Sequence, residues 1–431
     1  MISVPDGRGS HTQPRPDAQP SATTGSGTSR PVVAVLTTRW ESGSEPGWAI
    51  RQIAGAMACV ADVHVVTPQG TGPSVRADGV FTLHETGTPV RPVDELSRDT
   101  LIGAFTGAGV GTTGRVDLQL GRILDRGQTQ PWEAAAAVLA ELHPDRVVVA
   151  GHLNMGALRA VDRAVPDVPV SLVPLAVDAL ALAFPHFGPL LDRAESLLAL
   201  SEAEAAVLAA RIGDPARVHW IGAPLAANPS SRSEPNTWVG DTGYVLVLTD
   251  ASTDDGNAES AVLARSIRLA IPDPPVGIST TDGFHVWHEG RRSSGWPVER
   301  SSDLARLIAW AAVTVDLRPG PLFARRCVES LLYGTPIVVP SASRAADLAR
   351  RSRGGLWYSS PGELIWSIEA LLGASTRTAL SVQGRRYAEA GYGTTDGFVR
   401  RVLAATGLAG RDRSPGPRDR PATGSPVAVG A

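Results

Sequence analysis

Val313–Pro340, VTVDLRPGPLFARRCVESLLYGTPIVVP, is the stretch around which the chain is organised. Val313-Thr-Val-Asp-Leu317 is a short β-branched run suited to a buried strand, and the Pro/Gly punctuation of Arg318–Pro321 turns the backbone after it. From Phe323 to Tyr333 the apolar residues Phe323, Cys327, Val328, Leu331 and Leu332 recur at three- and four-residue spacing, one face of a helix. Gly334 is a helix stop, and Ile337-Val-Val339, closed by Pro340, reads as a second buried strand. Strand, turn, helix, glycine, strand is a βαβ unit, an architecture that binds ligands at the carboxyl ends of its strands. Glu329 lies mid-helix in that unit, the only acid between Asp316 and Asp347.

Working outward, the chain repeats this grammar. Val32 onward (VVAVLTT) is a strand, Arg39–Pro46 a polar loop, and Gly47 opens a segment in which Ile50, Ile53, Ala54 and Met57 keep helical spacing before the next strand at Val63–Val66. Ala134–Leu142 has helical composition and leads into the strand Arg146–Ala150, after which come Gly151, His152 and Asn154. Ser201 followed by Glu204 is a capping box for a helix that stops at Gly213. A second sheet restarts at Tyr244–Thr249; a helix over 258–270, a weak strand at Val276–Ile278 and a helix over 304–312 lead back to Val313. Phe284–Trp296 is polar and aromatic, with Arg291 and Arg292 as candidate anion contacts, and residues 70–130 carry too weak a pattern to support any chemistry.

Bulk properties exclude several classes. The 431 residues suffice for two or three domains, and 43% hydrophobic with 19% charged residues fits a globular chain with a large core. A formal net charge of −3 argues against a nucleic-acid footprint. All 40 basic residues are Arg, which rules out a Schiff-base lysine or a lysine ammonium on a phosphate. Cys59 and Cys327 sit in separate apolar helical patterns, giving neither a disulfide framework nor a zinc site. No run of eighteen apolar residues and no signal-peptide pattern occurs, so a cytoplasmic protein is expected, with peripheral membrane contact left open. His11, His64, His84, His143, His186 and His219 have no spacing that suggests a metal or a triad.

The segment Glu329-Ser-Leu-Leu-Tyr-Gly334-Thr335-Pro-Ile-Val-Val resembles the E-A-x-x-x-G-x-P-V-V segment of retaining glycosyltransferases with the two-domain B-type fold, family 4. Further likenesses follow in the family's order: Pro46-Gly47 with Ile53-Ala54 at the first strand–helix junction, Pro144-Asp-Arg-Val-Val-Val-Ala-Gly-His152, Ser201-x-x-Glu204 before Ile221-Gly-Ala-Pro, and Gly354-Gly with the helices from Pro361 and from Gly384 to Phe398. The resemblance covers residues 31–408 and implies an α/β chain with two Rossmann-like, doubly wound parallel-sheet domains facing a cleft. Composition rich in Gly, Pro, Ser and Thr marks disordered tails over 1–30 and 411–431, and clustered Pro, Ser, Asn and Gly mark a linker over 226–243. The resemblance makes 31–225 the acceptor-side domain, 244–390 the donor-side domain and 391–410 a helix crossing back to the first domain.

What the resemblance implies chemically is transfer of a sugar from a nucleoside-diphosphate sugar with retention, with no bound metal or other cofactor. Glu329 would accept from the ribose hydroxyls; Gly47, Arg325, Arg326, Gly334 and Thr335 complete the donor side. His152 is the expected catalytic residue, with Asn154 and Arg39 on the acceptor side; the acceptor itself, a glycan, lipid or small molecule, is not legible. A plain strand-to-helix loop at Gly47, a strand-capping His152 and solvated Arg325 and Arg326 are the competing readings of the same residues.

Two positions depart from the family. Where it carries an Arg and a Lys for the diphosphate after the first strand of the second domain, this chain has Thr249-Asp250-Ala-Ser-Thr-Asp254-Asp255. The Glu that often stands eight residues before Glu329 is Pro321. Arg325 or Arg326 is the candidate replacement cation. A transferase with a rearranged donor site and a catalytically silent relative that binds or regulates another transferase are the two readings carried forward. An epimerase on the same fold would need clefted acids and histidines that the sequence does not display.

Overall fold

The computed structural model describes residues 30–38, 40, 45–68, 72–87, 132–151, 155–175, 188–225, 243–249, 259–280, 283–288, 291–296, 301–318 and 324–410. The expected tails (apart from Arg30), the linker (apart from Gly243), and Arg39, His152, Asn154 and Pro321 lie outside them.

Two sheets organise these residues. The first contains β1 (Val32–Thr37), β2 (Asp62–Thr67), β3 (Pro73–Asp78), β4 (Phe81–Thr86), β5 (Arg146–Ala150), β6 (Val170–Val173), β7 (Ser196–Ala199) and β8 (Val218–Trp220), in the order β3-β4-β2-β1-β5-β6-β7-β8. Every pairing is parallel except β3–β4. Helix α1 (Glu45–Met57), α2 (residues 132–142), α3 (Met155–Ala164), α4 (Gly188–Arg193) and α5 (Glu202–Arg211) connect these strands.

The second sheet has the order β12-β11-β10-β9-β13-β14-β15, with β9 (Val245–Leu248), β10 (Val276–Thr280), β11 (Gly283–His288), β12 (Arg291–Trp296), β13 (Val313–Asp316), β14 (Ile337–Pro340) and β15 (Gly355–Tyr358). Its helices are α6 (Glu259–Ala270), α7 (Ser301–Trp310), α8 (Arg325–Leu332), α9 (Arg344–Ser352), α10 (Pro361–Leu372), α11 (Ala374–Tyr392) and α12 (Thr395–Ala405).

The central strands bury both faces, as parallel strands covered by helices must. In β1, Val33 and Val35 join one cluster with Ile50 and Ile53 of α1, while Ala34 and Leu36 join the opposite cluster with Trp132 and Leu139 of α2. In the second sheet Val245 and Val247 point to one core and Leu246 and Leu248 to the other. The cluster on the α1 side continues without a break into Val328, Leu331 and Val339 of the second sheet's layer and takes in Phe398 and Val402 of α12. Helix α12 packs on α1, β7 and β8 of the first sheet.

The doubly wound α/β architecture is as expected, and four details are added to it. Neither sheet is wholly parallel: β3 and the β10–β11–β12 meander add antiparallel edges. Phe284–Trp296, read from the sequence as polar and aromatic with no element assigned, is the hairpin β11–β12, in which Phe284, Val286 and Trp287 are buried and Arg291 is exposed. Residues 73–86, inside the illegible region, form the hairpin β3–β4. The final helix is two helices: α11 ends at Tyr392, and Thr394, whose hydroxyl accepts from Gly397 N–H, caps a new helix.

The capping box is present, shifted by one residue. Ser201 Oγ accepts from Glu204 N–H at 3.1 Å, and Glu204 Oε2 accepts from Leu200 N–H at 2.7 Å. Ser360 and Glu363 build the same arrangement on α10, with Ser359 N–H as the donor to the carboxylate.

Candidate functional site

In a doubly wound sheet the ligand crevice opens where crossovers leave neighbouring strands in opposite directions. In the first sheet that point lies between β1 and β5, where Thr37 pairs with Ala150, two residues before His152. In the second it lies between β9 and β13, where Leu248 pairs with Asp316; from here β9 leads to β10 on one side and β13 to β14 on the other.

Helix α8 starts beside that second point. Its cap residue, Ala324, is buried and enters the helix at φ +48°, ψ +44°, with no side-chain cap bond. An L-residue in this left-handed conformation costs about 1–2 kcal/mol, a form of strain that clusters at functional sites. One turn on, Glu329 is 8% exposed and accepts from two guanidinium groups: Arg325 Nε at 2.8 Å on Oε1 and Arg326 Nη1 at 2.7 Å on Oε2. The i,i+4 and i,i+3 spacings put all three on one helix face.

The Arg325 guanidinium stacks on Trp48, 4.1 Å from the ring centroid. Trp48 belongs to α1, so the first turn of the first sheet's leading helix meets the first turn of α8 here. Gly47 is buried beside it. The expected Pro46-Gly47 loop is in fact helical: α1 begins at Glu45, and Pro46 fits a first turn whose N–H groups have no intrahelical acceptor.

At the end of β13 a second carboxylate holds a third arginine. Asp316, whose side chain is 2% exposed, accepts on Oδ1 from Arg318 N–H at 3.1 Å and Arg318 Nε at 2.8 Å, and on Oδ2 from Arg318 Nη2 at 2.7 Å and the Cys327 thiol at 3.4 Å. Tyr358, at the end of β15, has its phenol pushed up by burial and then by the charges of Glu259 and Asp316. The carboxylates of Glu259 and Asp316 thus share this end of the sheet with Arg318.

Gly334 and Thr335 sit at the other end of α8. Gly334 turns the chain at φ +74°, and the Thr335 hydroxyl donates to the carbonyls of Ile308 and Ala311 at 3.3 and 3.2 Å. Ser330 Oγ–H donates to Thr335 O at 2.9 Å, and Ser330 Oγ lies within hydrogen-bond distance of the Thr314 hydroxyl, also at 2.9 Å. These contacts fix the α8–β14 turn at the amino end of β14, away from Glu329, Arg325 and Arg326, which the structure does bring together.

On the far side of Ala324 a small open crevice separates the first turn of α5 from α9 and α11. Glu202 spans it, with Oε2 accepting from Arg351 Nη1 at 3.3 Å and from the Tyr387 hydroxyl at 3.0 Å. Behind it Glu204 is fully buried, and burial drives its carboxyl up to about 7 against the opposing pull of the Leu200 N–H bond, Arg344 and the Ser201 bond. Its Oε1 has no hydrogen-bond partner.

Sequence spacing gave no sign of several of these groups: Trp48 as the lid on Arg325, Asp316 with Arg318, and the Glu202–Arg351–Tyr387 bridge. An acid at the last position of a buried strand with an arginine two residues on was the available signal for the second. His64 and His84, without partner spacing in the sequence, meet across β2 and β4 with Nδ1 and Nε2 3.0 Å apart, and burial lowers the pKa of both. Among the described residues no three His, Cys, Asp or Glu side chains gather into a metal-binding group. Among the same residues no helix is long and apolar enough to cross a membrane.

No family model matches the sequence. No curated protein matches it either. Solved structures do match. A sucrose-phosphate synthase from Thermosynechococcus elongatus superposes with a TM-score of 0.58 at 14% identity, over 86% of this chain and 96% of that one. The chain carries the B-type glycosyltransferase fold. Anabaena Alr3699/HepE, solved in complex with UDP-glucose, matches at TM-score 0.55 and 14% identity over 87% of this chain and 98% of that one. A UDP-forming α,α-trehalose-phosphate synthase from Burkholderia vietnamiensis matches at TM-score 0.58 and 10% identity over 88% and 98%. In the terms of this fold, β1–β8 make the first Rossmann-like sheet and β9–β15 the second.

Proposed function

We propose that this chain is a retaining glycosyltransferase of the family-4 kind, taking a nucleoside-diphosphate sugar as donor and requiring no metal. The observation that carries the reading is the Trp48–Arg325–Glu329–Arg326 cluster at the start of α8, where the first turns of α1 and α8 meet. The fold's solved examples include a complex with UDP-glucose, which supports this class of donor.

Chemically, the donor's anomeric carbon–oxygen bond breaks, its electron pair goes to the diphosphate, and the acceptor hydroxyl loses its proton as the new glycosidic bond forms. Stabilising the departing diphosphate is the main electrostatic task. Cations next to a carboxylate are held in place before the reaction, so no reorganisation is required when charge develops. Glu329 has two roles in this reading: it positions Arg325 and Arg326, and its carboxylate would accept from the donor's ribose hydroxyls. His152, with Asn154 and Arg39, is assigned to the acceptor side. The acceptor is a glycan, lipid or small molecule, and the protein works in the cytoplasm, with peripheral membrane contact if the acceptor is a lipid.

Incubating the protein with UDP-, GDP- and ADP-sugars and following nucleoside diphosphate release tests the reaction. Proton NMR of any product reports the anomeric configuration. Release of a nucleoside diphosphate with an α-linked product from an α-linked donor supports the reading; a β-linked product from that donor refutes retention.

A further inference from the structure

The sequence after β9 offers Asp250, Asp254 and Asp255, and no cation before Arg265. At the β9–β13 switch point a diphosphate needs a compensating positive charge, which the sequence after β9 does not supply. The structure puts one there from the neighbouring strand. Arg318 follows β13 by two residues, next to the register position where Asp316 pairs with Leu248 of β9. Its side chain retains 18% exposure, while that of Asp316 retains 2%.

The pairing between them is unusually complete. Arg318 donates to Asp316 through its own backbone N–H, through Nε and through Nη2, at 3.1, 2.8 and 2.7 Å. The Cys327 thiol, on the first turn of α8, completes the set at 3.4 Å. Two-point engagement of a guanidinium by a carboxylate fixes its plane as well as its position. A buried ion pair adds little stability over an apolar pair of the same volume, so a carboxylate buried at the ligand end of a central strand needs another reason to be there. Holding an arginine at the switch point supplies one. Arg325 and Arg326 are held by Glu329 one turn further along α8, and Arg318 is held in the same way by Asp316 at the strand end itself.

We infer that Arg318, oriented by Asp316, is a donor-binding residue that contacts the diphosphate of the nucleotide sugar and takes over the work of the cations missing after β9. The inference rests on the glycosyltransferase reading above and extends it to a residue outside the α8 cluster. Asp316 is a positioning residue: it acts through Arg318.

Isothermal titration of UDP, GDP, ADP and the corresponding nucleosides into the full chain, as wild type, Arg318→Ala and Arg318→Lys, tests it. For whichever diphosphate the wild type binds, Arg318→Ala is expected to weaken affinity about 10- to 100-fold, as loss of a charge-assisted contact should, and Arg318→Lys to recover part of it. Nucleoside affinity should stay within about twofold, since the nucleoside presents no phosphate. Unchanged diphosphate affinity in Arg318→Ala, or equal loss for diphosphate and nucleoside, overturns the assignment while leaving the donor reading intact. A wild type that binds none of the three diphosphates overturns both. Should Arg318→Ala fail to fold, Asp316→Asn/Arg318→Ala removes the stranded buried charge and is read by the same criteria.

Discussion

Glu204 makes the stability of this protein fall as pH rises, and Glu204→Gln should abolish the effect. The carboxyl is fully buried and raised from an ordinary 4.5 to about 7, burial outweighing the Leu200 N–H bond, the Arg344 charge and the Ser201 bond. Tyr392 of α11 faces the same carboxyl and is itself pushed up, chiefly by burial. Between those two pH values the unfolded chain has released the proton and the native state still holds it. Native stability therefore declines through this window and levels off above it. One proton over that interval, at about 1.4 kcal/mol per pH unit, amounts to about 3 kcal/mol lost between pH 4.5 and 7. Glutamine keeps an oxygen for Leu200 N–H and cannot titrate. Urea unfolding at half-unit steps from pH 4.5 to 8 should show a wild-type decline of that order beyond the shared background, with a flatter curve for Glu204→Gln. Parallel curves for the two proteins would refute the reasoning.

Other perturbations give separate readouts. Glu329→Ala leaves Arg325 and Arg326, both largely buried, without their shared counter-charge; about 2–4 kcal/mol should be lost in chemical unfolding, and nucleotide binding with it. Trp48→Ala removes the surface on which Arg325 stacks and should lower stability by about 0.5–2 kcal/mol from the cation–π contact, while weakening donor affinity in calorimetry. Gly384→Ala would place a methyl 2.7 Å from Leu331 Cδ2 and 2.8 Å from Gly354 Cα, where α11 crosses the start of β15; the overpacking should cost about 1–3 kcal/mol, visible as a lowered melting temperature.

The sequence revealed the fold where periodicity was strong and burial two-sided. Val32–Thr37, Arg146–Ala150, Val245–Leu248, Val313–Asp316 and Ile337–Pro340 are short apolar runs between Gly, Pro and Asp breakers, and all five are central strands. It failed at the edges. Strand β3 is largely exposed, with Val75 at 67%, and β12 carries Arg291, Arg292, Ser293 and Ser294, so neither has the apolar run that marks a strand. Their placement comes from cross-strand pairing with β4 and β11, which no local pattern reports.

The site was half legible for the same reason. Glu329, Arg325 and Arg326 share one helix face, so spacing alone brings them together. Trp48 lies 277 positions away from Arg325 (325 − 48) and meets it only because α1 and α8 start at the same place in the folded chain. Thr335 lies in the segment that resembles the family's, and its hydroxyl donates to the carbonyls of Ile308 and Ala311, bonds that no local spacing reports.

The central claim is that a nucleoside-diphosphate sugar binds at the start of α8. Thermal unfolding of the wild type and of Glu329→Ala against a panel of UDP-, GDP- and ADP-sugars tests it most directly. The account predicts that at least one donor raises the wild-type melting temperature and leaves that of Glu329→Ala unmoved. No shift with any donor, or equal shifts in the two proteins, would contradict it.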